Sequence, residues 1–181
     1  MKIQDDKAPV DRLAEWQADE ARVRAVTREF GVATREQLAG RSGLEIFRAM
    51  IAGELPAAPI SRTLDFLLVE AEHGRVVFHG RPGLAHYNPM GSVRGGWFST
   101  LLDSALGCAV FSVLPAGKGY TTAELKVNIV RPLTDQIPLV RAEATIVHAG
   151  GRMATSEGRL TGPDGKLYAH GSTTCFIFDA P

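Results

Sequence analysis

The sequence predicts an α+β fold: a curved antiparallel sheet wrapped around one long central helix, with an N-terminal helical extension. Three observations carry this. Between Gly95 and Gly117 the only charged side chain is Asp103, and a helix apolar on nearly every face belongs in a core. Strand-like runs flank that helix, two before it and four after it, and strands in runs around one buried helix mean α+β. An antiparallel sheet keeps one face wet, but a helix apolar all round needs cover on every side. The economical solution is a sheet curled around the helix, with a second subunit closing what stays open.

Taken in order, residues 1–10 are polar, carry Pro9 and are expected to fray. From Asp11 to Phe30, Leu13, Trp16, Ala21, Val23, Val26 and Phe30 follow a loose helical stripe that Gly31 ends. Thr34 reads as an N-cap, with Glu36 and Gln37 in the first turn of a second helix that stops near Gly40. This charged preface, residues 1–43, is read as a helical hairpin that covers a surface, in preference to an arm that docks a partner. Ser42 caps a further helix over Gly43–Ala52, and residues 44–181 form the main domain. Thr63–Glu70 and Arg75–Gly80 read as strands joined at His73-Gly74. A Gly/Pro-rich connection, Arg81–Gly91, leads to the central helix, which Pro115 and Gly117 close. Over Tyr120–Val130, Thr121, Ala123, Leu125, Val127 and Ile129 alternate with Thr122, Glu124, Lys126 and Asn128. Ile137–His148, Arg152–Leu160 (across a Gly150-Gly151 turn) and Lys166–Phe178 complete the sheet.

Composition narrows the function. The 181 residues are 45% hydrophobic and 22% charged, enough for a full core, and Lys plus Arg equals Asp plus Glu at 20 each. That balance argues against nucleic acid or an anionic membrane as the main partner. Cys108 and Cys175 sit in apolar contexts and read as buried thiols of a reducing compartment. No CxxC or HExxH spacing predicts a metal site. With neither a signal-like start nor a bilayer-length apolar run, the expected location is the cytoplasm.

One stretch concentrates the chemistry. Asn88 offers a side-chain amide in the turn before the central helix. Gly95 and Gly96 offer unpaired backbone N–H groups at its start, where the macrodipole also favours negative charge. Together they make a seat for an oxyanion. Gly96, Ser99, Thr100, Asp103 and Gly107 share a polar stripe with no Lys, Arg or Glu, so Asp103 reads as functional. Asp103 lies eight residues after Gly95, or ~12 Å along the axis. A base, one water and a carbonyl span roughly 6–7 Å. One helix therefore cannot serve one carbonyl with both groups. A second copy, antiparallel across a two-fold axis, can, and it would give two equal shared sites.

Asn88, Gly91, Val93, Gly95-Gly96 and Leu102-Asp103, followed by TTAELKVNIVRP from Thr121 to Pro132, resemble the PaaI-like branch of the hotdog-fold acyl-CoA thioesterases. The resemblance spans Leu44 to Phe178. It implies a sheet wrapped round a long helix, dimers or dimers of dimers, and hydrolysis of acyl-CoA to free acid and CoA. No cofactor is implied, because coenzyme A is part of the substrate. Carried over, Gly95 N–H and the Asn88 amide polarise the thioester carbonyl. Asp103 of the opposite subunit activates water or attacks directly, and Thr122 supports the leaving thiolate or positions the water. The family usually has His-Gly-Gly at the helix start, and here it is Arg94-Gly95-Gly96. Arginine stays protonated and cannot shuttle protons. Arg94 is therefore assigned to a CoA phosphate or to pairing with the partner's Asp103. Lys126, Arg131 and Arg152 are candidates for a basic rim, Gly96 for substrate contact, and His86 for the pocket mouth. Two other readings remain at this stage: a non-catalytic acyl-CoA-binding or regulatory hotdog protein, and an enoyl-CoA hydratase, against which Arg94 speaks.

Overall fold

The computed structural model describes residues 8–180. Of the segment expected to fray, residues 1–7 lie outside that range, and from Pro9 the chain is already helical. Helix α1 (Pro9–Val26) takes its proline in the first turn, where a missing N–H costs nothing. It ends at Thr27, whose N–H and hydroxyl both donate to the Val23 carbonyl. The helix therefore does not run on to Phe30 as the apolar stripe suggests. Phe30 instead bridges to Ala57 in extended backbone. Helix α2 (Arg35–Leu38) and helix α3 (Gly43–Ile51) open as the sequence indicates. Thr34 with Gln37, and Ser42 with Glu45, form reciprocal capping boxes.

A fourth helix corrects the sequence reading. Pro59–Leu64 is helical (α4), with Pro59 at its start and Asp65 in the left-handed conformation at its end. The first strand therefore begins at Phe66 and not at Thr63. Strands β1 (Phe66–Glu72) and β2 (Arg75–Gly80) form a hairpin. A single 3-10 turn at Leu84–His86 precedes the central helix α5 (Gly95–Phe111). Then come β3 (Lys118–Ile129), β4 (Val140–Ala149), β5 (Met153–Thr161) and β6 (Leu167–Asp179). All six strands join one antiparallel sheet in the order β1-β2-β4-β5-β6-β3.

The core is the inside of that sheet closed over α5. Phe98, Leu101, Leu102, Ala105, Leu106 and Ala109 are almost free of solvent and pack against Phe66, Val76, Ala142, Ala144 and Leu160. Each buried Leu or Phe contributes about 2 kcal/mol relative to exposure. Polar ties fix the register of helix on sheet. The Ser156 hydroxyl donates to the Leu106 carbonyl at 2.8 Å, and Ser112 Oγ accepts the Gly74 N–H at 2.9 Å. Helix α3 crosses the end of α5 so closely that a Cβ on Gly43 would lie 1.9 Å from the Phe111 carbonyl oxygen. Only glycine fits there.

The N-terminal helices are part of the fold. Trp16, Glu20 and Val23 follow helical spacing on one face of α1 and are buried. Val23 packs on Leu67, Val69 and Val77, the outer side of β1 and β2. The Trp16 ring lies 5.5 Å from that of His79. The Glu20 carboxylate is fully buried and receives Arg81 at 2.6 to 2.9 Å and Arg24 at 2.7 to 2.9 Å. Burial alone would raise its pKa, but the hydrogen bonds from Arg81 and Arg24 outweigh it and hold the carboxyl below the ordinary glutamate value. Arg24 also reaches Asp65, which ties α1 to the turn that starts β1.

Candidate active site

The turn before α5 is built by its own side chains. Asn88 Oδ1 accepts the Met90 N–H at 2.8 Å and the Ser92 N–H at 3.4 Å, while Asn88 Nδ2 donates to Ser92 Oγ at 3.1 Å. Gly91 supplies the positive φ of 86° that closes the turn. One of the two amide hydrogens of Asn88 is left for a ligand. The His86 carbonyl then accepts the Arg94 N–H at 2.8 Å, and the Leu133 carbonyl accepts the Val93 N–H at 2.9 Å. These two bonds aim the start of α5. Arg94 is its N-cap residue and makes no side-chain cap. Among the described residues neither the Gly95 nor the Gly96 N–H has an acceptor. A Cβ on Gly96 would meet nothing within 4 Å. The helix therefore opens on donors without acceptors, with open space beside Gly96 and Ile129 Cδ1 3.1 Å from where a Cβ on Gly95 would lie.

Asp103 is half-buried on the α5 face towards β3. Thr122 Oγ1 donates to its Oδ1 at 3.1 Å. The sequence pattern placed Thr121 and Leu125 on one face of β3 and Thr122 on the other. The register shifts between Thr122 and Glu124, so Ala123 is an extra residue in the ladder. Thr122 opposes Cys175 and Leu125 opposes Thr173, both of them buried positions, while Thr121 opposes exposed Phe176. The bulge thus turns Thr122 inwards, towards Asp103.

An apolar cavity of about 260 Å³ opens beside Asp103. Its walls are Phe47 and Met50 of α3, Ala58 and Ile60 at α4, Phe66 and Phe78 of the sheet, and Ser104, Cys108 and Tyr120 beside Asp103. Burial pushes the Cys108 thiol up to about 12 and Tyr120 well above its ordinary value, so neither ionises near neutral pH. Trp97 Nε1 donates to the Leu64 carbonyl at 2.9 Å and fixes α4 to α5 at the rim. None of Phe47, Met50, Ala58 and Tyr120 was singled out as a site residue from the sequence. Cavity walls drawn from segments far apart in the chain leave no local pattern.

The other sequence candidates divide. His86 stacks on Trp97 with ring centroids 5.5 Å apart, and its Nδ1 accepts the Gly83 N–H at 3.1 Å. Burial lowers its pKa, with Asp65 opposing. It is a neutral ring that braces the loop beside the helix start. Arg94 is exposed and, among the described residues, has no partner. Arg131, whose N–H donates to Tyr168, lies at the same end of the sheet as Ile129 and Gly95. Lys126 opposes Ser172 on the outer face, away from Asp103. Arg152 belongs to the opposite end, where the Ile177 N–H bonds its carbonyl. Ile177 and Ala169 are eight residues apart on β6, ~26 Å of strand, so within one protomer Arg152 and Arg131 form no common rim. A wider hollow, about 500 Å³, lies on the outer face of β4–β6 around Glu143, Glu157, Arg159 and His170, with no α5 residue in its lining. Among the described residues no three His, Cys, Asp or Glu side chains are grouped to hold a metal ion, and no helix is long and apolar enough to cross a membrane.

Residues 90–169 match the thioesterase superfamily model. The stretch matched contains α5, Asp103 and Thr122. The chain has the hotdog fold and is similar to the thioesterase superfamily over this stretch. A putative thioesterase, a phenylacetic acid degradation-related protein from Ralstonia eutropha JMP134, superposes on this hotdog protein with a TM-score of 0.66 at 28% identity, over 72% of this chain and 98% of its own. A thioesterase family protein from Silicibacter pomeroyi does so at 0.62 and 26%, over 67% and 90%. The E. coli PaaI protein from the phenylacetic acid degradation operon, at 17% identity, shares the fold with a TM-score of 0.61, over 67% of this chain and 85% of its own. No curated protein matches the chain by sequence. These likenesses support thioester hydrolysis as the general class of chemistry.

Proposed function

We propose that this protein hydrolyses acyl-CoA thioesters to a free acid and CoA, at two equal sites shared across the two-fold axis of a dimer. The observation that carries the reading is the Thr122–Asp103 hydrogen bond at the mouth of an apolar cavity, on a helix whose first two N–H groups stand free. Asp103 takes a proton from water, and the water oxygen attacks the thioester carbon. The carbonyl electron pair moves to the oxygen, which Gly95 N–H and the spare Asn88 amide hydrogen of the partner subunit receive. Collapse of the tetrahedral species breaks the C–S bond and releases CoA as its thiolate. Direct attack by the carboxylate, forming a mixed anhydride that water then opens, uses the same groups. Thr122 orients Asp103 in either course. The spacing of ~12 Å from Gly95 to Asp103 on one helix is what makes the second subunit necessary.

Arg94, free and exposed at the helix start, suits a CoA phosphate, with Arg131 at the same end. Asp103→Asn tests the mechanism. It keeps size and hydrogen bonding, removes the base, and is expected to lower kcat by about 10³-fold with an unchanged melting temperature. Thiol release from acyl-CoA measures it, and retention of near-full turnover would refute the role. Following the enoyl chromophore in the same reactions separates hydrolysis from hydration. Binding without thiol release would mark a silent binding protein.

A further inference from the structure

The cavity beside Asp103 is a finite apolar chamber, and the part of the chain that closes it is the N-terminal segment. Phe47 and Met50 come from α3, and Ala58 and Ile60 from α4 and its cap. The superposed Ralstonia structure is matched over 98% of its own length yet leaves more than a quarter of this chain outside the match. Among the described residues, Asp103, Ser104, Thr27, Ser61 and Tyr120 bring side-chain oxygens to the lining. Ser104 Oγ already donates to the Thr100 carbonyl at 2.9 Å and Thr27 Oγ1 to Val23 at 2.8 Å. Most of the wall can therefore receive hydrocarbon and offers little to hold a polar chain.

We infer that this cavity receives the acyl tail of the thioester, that the tail is an apolar group of about six to ten carbons, and that α3 and α4 set this limit. An apolar cavity of about 150 Å³ takes up benzene, with six carbons. At the same looseness of fit, the 260 Å³ here houses about ten carbons as an upper bound. Met50 is the adjustable part of the wall, because its unbranched thioether fills irregular space. Ala58 is the place where a larger side chain would enter the chamber at the least cost to the core, being half-exposed at the start of α4. The inference rests on the thioesterase reading for the words "acyl tail", while the pocket itself can be tested without turnover.

Two measurements separate the two claims. Hydrolysis of acetyl-, octanoyl- and palmitoyl-CoA is followed by thiol release. Binding of ethyl-, octyl- and hexadecyl-CoA thioethers, which cannot be hydrolysed, is followed by calorimetry. Each is run on the wild-type protein, on Ala58→Phe, which fills the chamber, and on Met50→Ala, which enlarges it. The eight-carbon ligand is expected to exceed the two-carbon and sixteen-carbon ones at least tenfold in kcat/KM and in affinity. Ala58→Phe should cut the eight-carbon values at least tenfold and the two-carbon values by a smaller factor, and Met50→Ala should move the optimum to longer chains. Hydrolysis with the same chain-length profile in all three proteins overturns the pocket assignment and leaves the hydrolase reading standing. Thioether binding with the expected shifts but no thiol release supports the pocket and overturns hydrolysis. No chain-length dependence in either measurement overturns the inference.

Discussion

Acidification from pH 7.5 to 5.0 should weaken the folded state through His79, before the carboxylates contribute much. His79 lies on β2 with no solvent exposure. It is enclosed by Trp16 and the Glu20 carboxylate of α1, by Glu70 of β1 and by Arg141 of β4. Burial first, and then the neighbouring Arg141 charge, push its pKa down from 6.5 to about 4, with Glu70 and Glu20 only partly opposing. Above pH 6.5 the imidazole is neutral in both states and contributes nothing to the pH dependence. Between 6.5 and about 4 the unfolded chain binds the proton and the folded chain does not, so stability falls as pH falls. The full effect is ~3 kcal/mol, since each pKa unit is worth about 1.4 kcal/mol. At pH 5.0 about 2 kcal/mol of it has been reached. Burial lowers the pKa of His86 as well, which adds a contribution of the same sign. Glu20, Glu70 and Glu143, held below their ordinary value by arginines in spite of burial, lose their stabilisation only as pH drops below about 4.5. Urea unfolding of the wild-type protein and of His79→Phe at the two pH values isolates the histidine. The wild type should lose about 2 kcal/mol more than the variant. Equal losses would show that His79 is protonated in the folded state, and the burial argument would fail.

Three further outcomes follow from the same geometry. Thr122→Val keeps the shape of the side chain and deletes its hydrogen bond to Asp103. It should lower kcat by about 10-fold to 100-fold with KM little changed, and an unaltered kcat in steady-state thiol release would remove Thr122 from the site. Arg81→Met strips one partner from the buried Glu20 carboxylate. The cost should be about 2 kcal/mol in denaturant unfolding, below the range for a fully buried pair, because Arg81 is half-exposed and Arg24 stays. Adding Glu20→Gln should return part of it, and additive losses would contradict the coupling. Sharing of the sites is tested by mixing inactive Asp103→Asn and Asn88→Ala chains after unfolding and refolding them together. Mixed dimers then carry one intact and one doubly damaged site, so about a quarter of wild-type activity should return. No recovery, with mixed dimers demonstrated, would place both groups of a site in one chain.

The central helix was legible because its signal is redundant. Glycines mark its start, apolar residues occupy every face, and a single carboxylate interrupts them. The capping boxes at Thr34 and Ser42 were legible for the same local reason. What escaped depends on partners distant in sequence. The six residues Pro59–Leu64 contain a β-branched Thr63 running into Leu-Asp-Phe, so period-two reading absorbed the last two residues of α4 into β1. Only the left-handed Asp65 separates the two elements. The stripe of α1 runs on to Phe30 in sequence, but Phe30 is claimed by the Ala57 bridge and the helix stops at Thr27. On β3, a bulge at Ala123 breaks an alternation that looks flawless in the sequence. Thr122 was a candidate by resemblance alone, and the bulge is the physical reason it can reach Asp103.

The placement of the N-terminal segment bears on how two copies would meet. β1 and β3 are the two edges of the sheet, and an uncovered edge with free backbone groups invites a further strand. Helix α1 lies on the outer side of β1 through Val23, Leu67 and Val69, and α3 and α4 come round to its inner side at Phe47 and Phe66. The chain thus straps one edge and at the same time closes the chamber beside Asp103. β3 is left bare, with Thr121, Thr122, Ala123, Glu124 and Lys126 exposed along it. A two-fold axis at the β3 edge, perpendicular to the sheet, would extend the sheet, set two copies of α5 antiparallel on the same face and bring each Asp103 towards the other chain's helix start. The segment that limits the substrate would then also direct assembly, by leaving only the catalytic edge open to a second copy.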